Sequence, residues 1–96
     1  MTKYILSPAA QESLINIKSY SIKTFGKKRT TDYLKALRDR MRELSESPLS
    51  GIARNEIKNG YYSYFEGSHT IYYRISETHI DIIDILHQSM EPSNYL

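Results

Sequence analysis

The chain has 96 residues, of which 40% are hydrophobic and 25% charged, and it contains no cysteine. This length predicts one domain, residues 1–96, around one core, and the composition excludes a disordered tail. Disulfides and thiolate chemistry are excluded, and no apolar run approaches the roughly 20 residues of a membrane span, so we expect a cytoplasmic protein without a secretory signal.

The charges are unevenly distributed along the chain. Residues 1–60 carry 12 Lys and Arg against 6 Asp and Glu, whereas residues 61–96 carry Arg74 against 5 acids. The net charges of these two parts are therefore +6 and −4. Such polarity favours an acidic partner at one end of the molecule.

The first elements are predicted to be a strand and a helix. The run Lys3–Leu6 has the composition of an edge strand, Ser7 fits a helix N-cap, Pro8 fits the first helical position, and Gly26 fits the helix end. The helix has a main apolar stripe and a second one, which predicts contact with a second helix or another chain. The main stripe comprises Ala10, Leu14, Ile17 and Phe25, and the second comprises Ile15 and Ile22.

A second helix is predicted from Lys27 to about Ser47, because Pro48 disfavours helical geometry in the preceding residue. One side is apolar and the opposite side is basic. The apolar side consists of Tyr33, Leu34, Leu37, Met41 and Leu44, and the basic stripe of Lys28, Lys35, Arg38 and Arg42. The basic stripe fits either a solvated face or a contact surface for acid-rich protein or nucleic acid.

Beyond Pro48 the pattern changes to short β-type runs punctuated by glycines. The predicted strands are residues 52–57, 61–65, 69–75 and 80–87, with turns at Asn59-Gly60 and Glu66-Gly67. We expect an α+β fold in which a two-helix hairpin packs on an antiparallel meander, in the order β-α-α-β-β-β-β. The last strand is apolar on both faces, so the face opposite the helices is predicted to be open to a partner.

Five of the nine tyrosines lie between Tyr61 and Tyr73. Strands prefer this residue type, so cross-strand packing is one explanation. An interface, where a ring fills a pocket, is the other.

Few residues could carry chemistry. The three histidines lack paired metal-ligand spacing, and neither a nucleophile elbow nor a phosphate-binding glycine loop is present, so no metal or cofactor is expected. A metal-independent ribonuclease could use His87 with Arg54, Lys58 and Arg74, if the sheet brought them together. Asp81 and Asp84 argue against it, because they flank His87 and would repel RNA; His87 alone also fits a strand-end histidine that forms hydrogen bonds.

Two stretches, EIKNGYYSYFEGSHTIYYRI at 56–75 and DILHQSME at 84–91, closely resemble the ParE branch of the RelE/ParE superfamily. The resemblance extends from about Leu6 to Glu91. It implies a toxin of a bacterial type II toxin–antitoxin system, neutralised by a ParD-like antitoxin. ParE-type toxins bind the A subunit of DNA gyrase and trap the enzyme on cleaved DNA, whereas RelE-type relatives cut messenger RNA in the ribosome.

The scarcity of cations after Gly60 favours inhibition by binding over RNA cleavage. ParE relatives often have basic residues near the positions of Asp81 and Asp84, whereas this chain has acids there. This difference leaves both the target and the potency of the toxin open. A third reading is an inactive module that retains only antitoxin binding.

Two contact surfaces are predicted. An acidic, amphipathic antitoxin segment is expected on Leu14, Ile15, Ile22, Lys35, Arg38, Arg42, Tyr72 and Arg74, and the target on His87, Met90 and Tyr95. A homodimer or a hetero-oligomer with the antitoxin is compatible with these surfaces.

Overall fold

The computed structural model describes residues 3–96 of the chain. Two helices precede most of a five-stranded sheet, which confirms the predicted α+β class and element order. The elements are β1 (Tyr4–Leu6), α1 (Pro8–Phe25), α2 (Lys27–Glu46), β2 (Ile52–Ala53), β3 (Tyr61–Glu66), β4 (His69–Ile75) and β5 (Ile80–His87), with 3₁₀ turns at Pro48–Ser50 and Pro92–Asn94. Within residues 3–96, no helix has the length and apolar character to cross a bilayer.

Ser7 begins α1 as predicted and also joins it to the sheet. Its Oγ accepts a hydrogen bond from the Ala10 N–H at 3.0 Å and donates one to the Ile83 carbonyl at 2.6 Å. Gly26 separates the helices with a φ of +88°, which a residue with a side chain adopts only under strain. One serine and one glycine therefore fix where α1 starts and stops.

The strands lie in the order β1-β5-β4-β3-β2. Strands β2 to β5 form the predicted antiparallel meander. The edge strand β1, whose pairing was not predicted from the sequence, pairs in parallel with β5, so the complete sheet is mixed. Parallel neighbours need a long crossover connection, and the intervening chain with its two helices provides it.

The strand predicted at residues 52–57 ends at Ala53. From Arg54 the chain closes a loop, in which the Arg54 N–H donates to the Tyr61 carbonyl at 2.7 Å. The side-chain oxygen of Asn55 accepts from the Gly60 N–H at 2.9 Å. Because this local hydrogen bond competes with strand pairing, the β-type composition of the segment is overridden.

A β-bulge changes the phase of β5. Tyr73 pairs with Ile82, but Tyr72 pairs with Asp84, which leaves Ile83 as an extra residue. Strict alternation predicts Ile82 and Ile85 on opposite faces, yet both belong to the core beneath the helices. The bulge therefore lets both parts of β5 contribute to one core.

The core lies between the helical hairpin and the sheet. It contains Ala10, Ile17, Leu34, Leu37, Met41, Leu44, Ile71, Tyr73, Ile80, Ile82 and Ile85. The buried hydroxyl of Tyr73 donates to the Pro48 carbonyl at 2.6 Å and accepts from the Gly51 N–H at 3.1 Å. A Cβ at Gly51 would overlap this hydroxyl, so glycine is required there.

The opposite face of the sheet is partly covered by the chain itself. Tyr72 is 4% exposed, and the Arg54 guanidinium lies 5.9 Å from the centre of its ring. Arg54, Ile57, Pro92 and Leu96 together line a second cavity, of about 360 Å³. The prediction of an open sheet face is therefore wrong at Tyr72.

Candidate functional site

An open groove of about 650 Å³ lies between the helical hairpin and one end of the sheet. Its walls come from both helices, from the ends of β4 and β5, and from the segment after β5. Among the residues that line it are Ile17 and Tyr20 of α1, Arg29 and Tyr33 of α2, His69, His87 and Met90.

Two histidines meet at the inner end of this groove. His69 and His87 are cross-strand partners, and their ring centres lie 5.2 Å apart in an edge-on arrangement. Burial, together with the neighbouring His87, lowers the pKa of His69 from 6.5 to about 4. His69 is consequently neutral at physiological pH and adds no positive charge to the groove.

Tyr33 holds His69 in place. Its hydroxyl lies 2.7 Å from Nδ1 of His69, donates to the Glu66 carbonyl at 3.1 Å and accepts from the Ser68 N–H at 3.0 Å. Burial raises the pKa of Tyr33, so the phenol stays protonated. The turn passes so close that a Cβ on Gly67 would lie 2.5 Å from the Tyr33 ring.

The His87 ring is oriented by the residues that follow β5. Its Nδ1 lies 2.8 Å from the hydroxyl of Ser89 and accepts the Ser89 N–H at 3.1 Å. Because a backbone N–H can only donate, a neutral His87 carries its proton on Nε2. His87 can therefore offer a hydrogen-bond donor from that nitrogen.

The residues predicted for a ribonuclease do not converge. Arg74 lies opposite Asp81 in the register of β4 and β5, and it follows His69 by five residues, or about 17 Å, along β4. Arg54 bonds Glu56 at 2.6 Å beside Tyr72, and this bond raises the pKa of Arg54. Lys58 lies in the exposed loop before β3. Only His87 of the four residues lines the groove.

We find no candidate metal site within residues 3–96. No group of three or more His, Asp or Glu side chains is placed to hold an ion.

The residues predicted to contact a target are separated. His87 and Met90 both line the groove, whereas Tyr95 is 54% exposed and lies outside it. Tyr33, Phe25 and Arg29 line the groove, but the sequence did not identify them as site residues. Tyr33 and Phe25 fit the apolar stripes of their helices, and Arg29 fits an ordinary basic helix start. His69 appeared in the family motif, but its role depends on the bulge, which moves His87 opposite it.

Three apolar residues of α1 were predicted to contact the antitoxin, and two of them are exposed. Ile15 is 64% exposed and Ile22 is 36% exposed, while Leu14 packs against the core. Within residues 3–96, the predicted second apolar stripe is therefore at least partly exposed to solvent.

The predicted basic stripe on α2 is exposed but partly neutralised. Asp39 bonds Lys35 at 2.8 Å and Arg42 at 2.9 Å, and the Lys35 bond is the main cause that lowers the pKa of Asp39. Arg38 is exposed on the same helix, and Arg74 is exposed on β4, whereas Tyr72 is buried.

The helical hairpin on a mixed five-stranded sheet defines a small α+β protein. The solved structure titled "Chromosomal ParDE TA system from P. aeruginosa" has this fold, with a TM-score of 0.76 at 15% identity over 91% of this chain and 96% of that one. At this identity the likeness establishes the fold alone.

Sequence comparison identifies the family. Residues 4–92 match the model described as "ParE toxin of type II toxin-antitoxin system, parDE". The chain is 36% identical to Toxin ParE1 of Mycobacterium tuberculosis over 94% of this chain and 93% of that protein. It is 32% identical to Toxin ParE1 of Caulobacter vibrioides over 100% and 99% respectively. The chain belongs to the ParE toxin family, as the motifs predicted.

Proposed function

We propose that this chain is a toxin that inhibits DNA gyrase by binding its A subunit and trapping the enzyme on cleaved DNA, without making or breaking bonds itself. The proposal rests on family membership together with one structural observation. That observation is the dispersal of the residues that RNA cleavage would require.

Cleavage of RNA needs a group that moves a proton and cations that stabilise the charge developing at the phosphate. Here the single cation among the groove residues is Arg29, and Arg54 and Arg74 lie elsewhere. His69 has a pKa of about 4, so it is a weak base and supplies no cation for the phosphate at neutral pH. The geometry therefore favours binding over chemistry.

The proposed antidote is a ParD-like antitoxin with an acidic, amphipathic segment. Ile15 and Ile22 offer exposed apolar surface on α1, and Arg38 and Arg42 offer charge on α2. An amphipathic helix buries an apolar stripe while its acids are attracted to nearby cations. Tyr72 is left out of this contact, because it is buried.

For gyrase we propose contact through the segment after β5. Met90 borders the groove beside His87, and Tyr95 is an exposed aromatic anchor nearby in the chain. Truncation after Glu91 should leave antitoxin binding mostly intact and abolish toxicity. A truncated chain that is folded and fully toxic would contradict this assignment.

A supercoiling assay with purified gyrase tests the main proposal. Adding the chain should reduce supercoiled product and increase linear DNA, and prior addition of the cognate antitoxin should prevent both effects. Normal supercoiling at saturating concentrations of the chain would reject the proposal.

The alternative function is a ribosome-dependent ribonuclease. The observation that favours it is the pair of neighbouring imidazoles, His69 and His87, because imidazole can transfer protons. This activity predicts codon-positioned cuts in transcripts that disappear with His87→Ala. An inactive antitoxin-binding module predicts neither effect, and overexpression without antitoxin would then be harmless.

A further inference from the structure

Cations and exposed aromatic rings are concentrated at the tip of the helical hairpin. Lys23, Lys27, Lys28 and Arg29 are all exposed around the turn at Gly26. Phe25 is 51% exposed in the middle of this group, and the Arg29 guanidinium lies 5.3 Å from the centre of its ring. The tip therefore offers both positive charge and a flat apolar surface.

The groove begins at this tip, and its lining residues within the described chain carry no negative charge. Phe25 and Arg29 line its outer part, Tyr20 lines α1 and is 65% exposed, and His87 lies toward the strand ends. Neither Asp nor Glu occurs among the described residues that line it. Its volume of about 650 Å³ lies within the usual range of small-molecule sites.

The same end of α2 provides backbone donors. Gly26 is the N-cap of α2 and has no side chain to bond the first N–H groups, and no acid occupies the first turn. The helix dipole adds to the field of the four cations, of which Lys28 lies 3.4 Å from the Asp32 carboxylate. An anion at the tip is thus favoured by side chains and backbone together.

We propose that the hairpin tip and the adjoining groove bind single-stranded DNA. The phosphates lie along Lys27, Lys28 and Arg29, and one or two unstacked bases pack on Phe25 and Tyr20. Proteins that hold single strands combine a cationic track with aromatic stacking platforms in this way. A duplex hides the faces of its bases and would use only the charges.

Single-stranded DNA is favoured over an acidic peptide by where the apolar surface lies. An amphipathic peptide helix needs an aliphatic stripe, and this stripe, Ile15 and Ile22, is separate from the groove-lining residues of α1. The groove itself is lined by the rings of Tyr20, Phe25 and Tyr33, by two imidazoles and by the Asn16 amide, and its aliphatic residues Ile17 and Ile85 are buried. Ring faces and single hydrogen-bonding groups suit bases. The inference rests on the proposed function, in which cleaved DNA held by gyrase supplies the unpaired strand.

The test is fluorescence anisotropy with the full chain and a labelled DNA strand of about 12 nucleotides, a length within known single-strand site sizes. The wild type should bind this strand more tightly than the duplex of the same sequence. Phe25→Ala should weaken binding about tenfold or more. Phe65→Ala is the matched control, because Phe65 is 54% exposed on β3 and does not line the groove, and it should bind as the wild type does.

Arg29→Gln separates charge from stacking. It should weaken binding and lower the slope of log affinity against log salt by about 0.7, the value for one phosphate contact with a single strand. Lys58→Gln, in the exposed loop before β3, should leave that slope unchanged. Phe25→Leu retains an apolar side chain without a ring, and it should lose affinity as Phe25→Ala does while remaining folded.

Equal binding by the Phe25 variants and the wild type would overturn the inference, as would preference for the duplex or binding restricted to RNA. Gyrase inhibition by a chain that binds no single strand would overturn this inference but leave the proposed function standing. Strand binding by a chain that leaves gyrase unaffected would uphold the inference at the tip and reject the proposed function.

Discussion

The hydroxyl of Tyr33 on α2 lies 2.7 Å from Nδ1 of His69, the first residue of β4. The same oxygen contacts the backbone on both sides of the β3–β4 turn, at Glu66 and Ser68. One helical side chain therefore fixes the turn, the histidine pair and the inner wall of the groove relative to the hairpin.

Tyr33→Phe should lower the free energy of unfolding by about 1–3 kcal/mol, because it leaves half-buried backbone groups without their partner. Urea unfolding measures this change. Tyr95→Phe is the control, since Tyr95 is 54% exposed, and it should alter stability by less than about 0.5 kcal/mol. Equal stability of both variants would show that the Tyr33 hydroxyl is not a structural link.

Stability should depend on pH through His69. Its pKa is about 4 in the folded chain and 6.5 when unperturbed, so the unfolded state binds more protons between these values. Stability is therefore fully present above about pH 6.5 and falls as the pH decreases toward 4. Urea midpoints measured across this window should fall more steeply for the wild type than for His69→Gln, and parallel profiles would contradict the assignment.

Two glycines with positive φ provide a matched comparison. Gly60 has a φ of +88° and open space at its Cβ position, so Gly60→Ala should cost only about 1–2 kcal/mol of backbone strain. Gly67 has a φ of +62° and lies against the Tyr33 ring. Gly67→Ala should therefore cost at least about 1 kcal/mol more, from overpacking, in urea unfolding. A smaller loss at Gly67 than at Gly60 would show that the contact with Tyr33 relaxes freely.

Local sequence rules predicted the helices well. Ser7, Pro8 and Gly26 mark the ends of α1, and an apolar stripe with Pro48 beyond it defines α2. Each of these features acts through neighbouring backbone groups, so it can be recognised without knowing the fold. The stretches at 56–75 and 84–91 indicated the fold and the family by resemblance, and the family match confirms them.

The missed features depend on contacts distant in sequence. The bulge at Ile83 aligns His69 with His87, whereas the four-residue connection after Ile75 would by itself align His69 with Leu86. One wall of the groove forms where α2 brings Tyr33 to the β3–β4 turn. The early end of β2 is different, since Asn55 followed by Asn59-Gly60 could have indicated a longer loop.

The proposed antitoxin contact predicts an electrostatic effect on association. Arg38→Glu should slow binding of the acidic antitoxin and weaken the dependence of its association rate on salt. The reason is that the substitution removes positive charge from α2, which reduces the long-range attraction between α2 and the acidic antitoxin. Lys58→Glu makes the same change in net charge within the loop before β3, away from α2. Stopped-flow association rates that respond equally to both variants would indicate an effect of overall charge and reject a specific contact at Arg38.

The most direct test of the central claim compares two reactions that receive the same amount of purified chain. One contains gyrase and relaxed plasmid, and the other contains ribosomes translating a defined transcript. The proposal predicts linear plasmid in the first reaction and an intact transcript in the second. A fully supercoiled plasmid together with a transcript cut at the ribosome would contradict it.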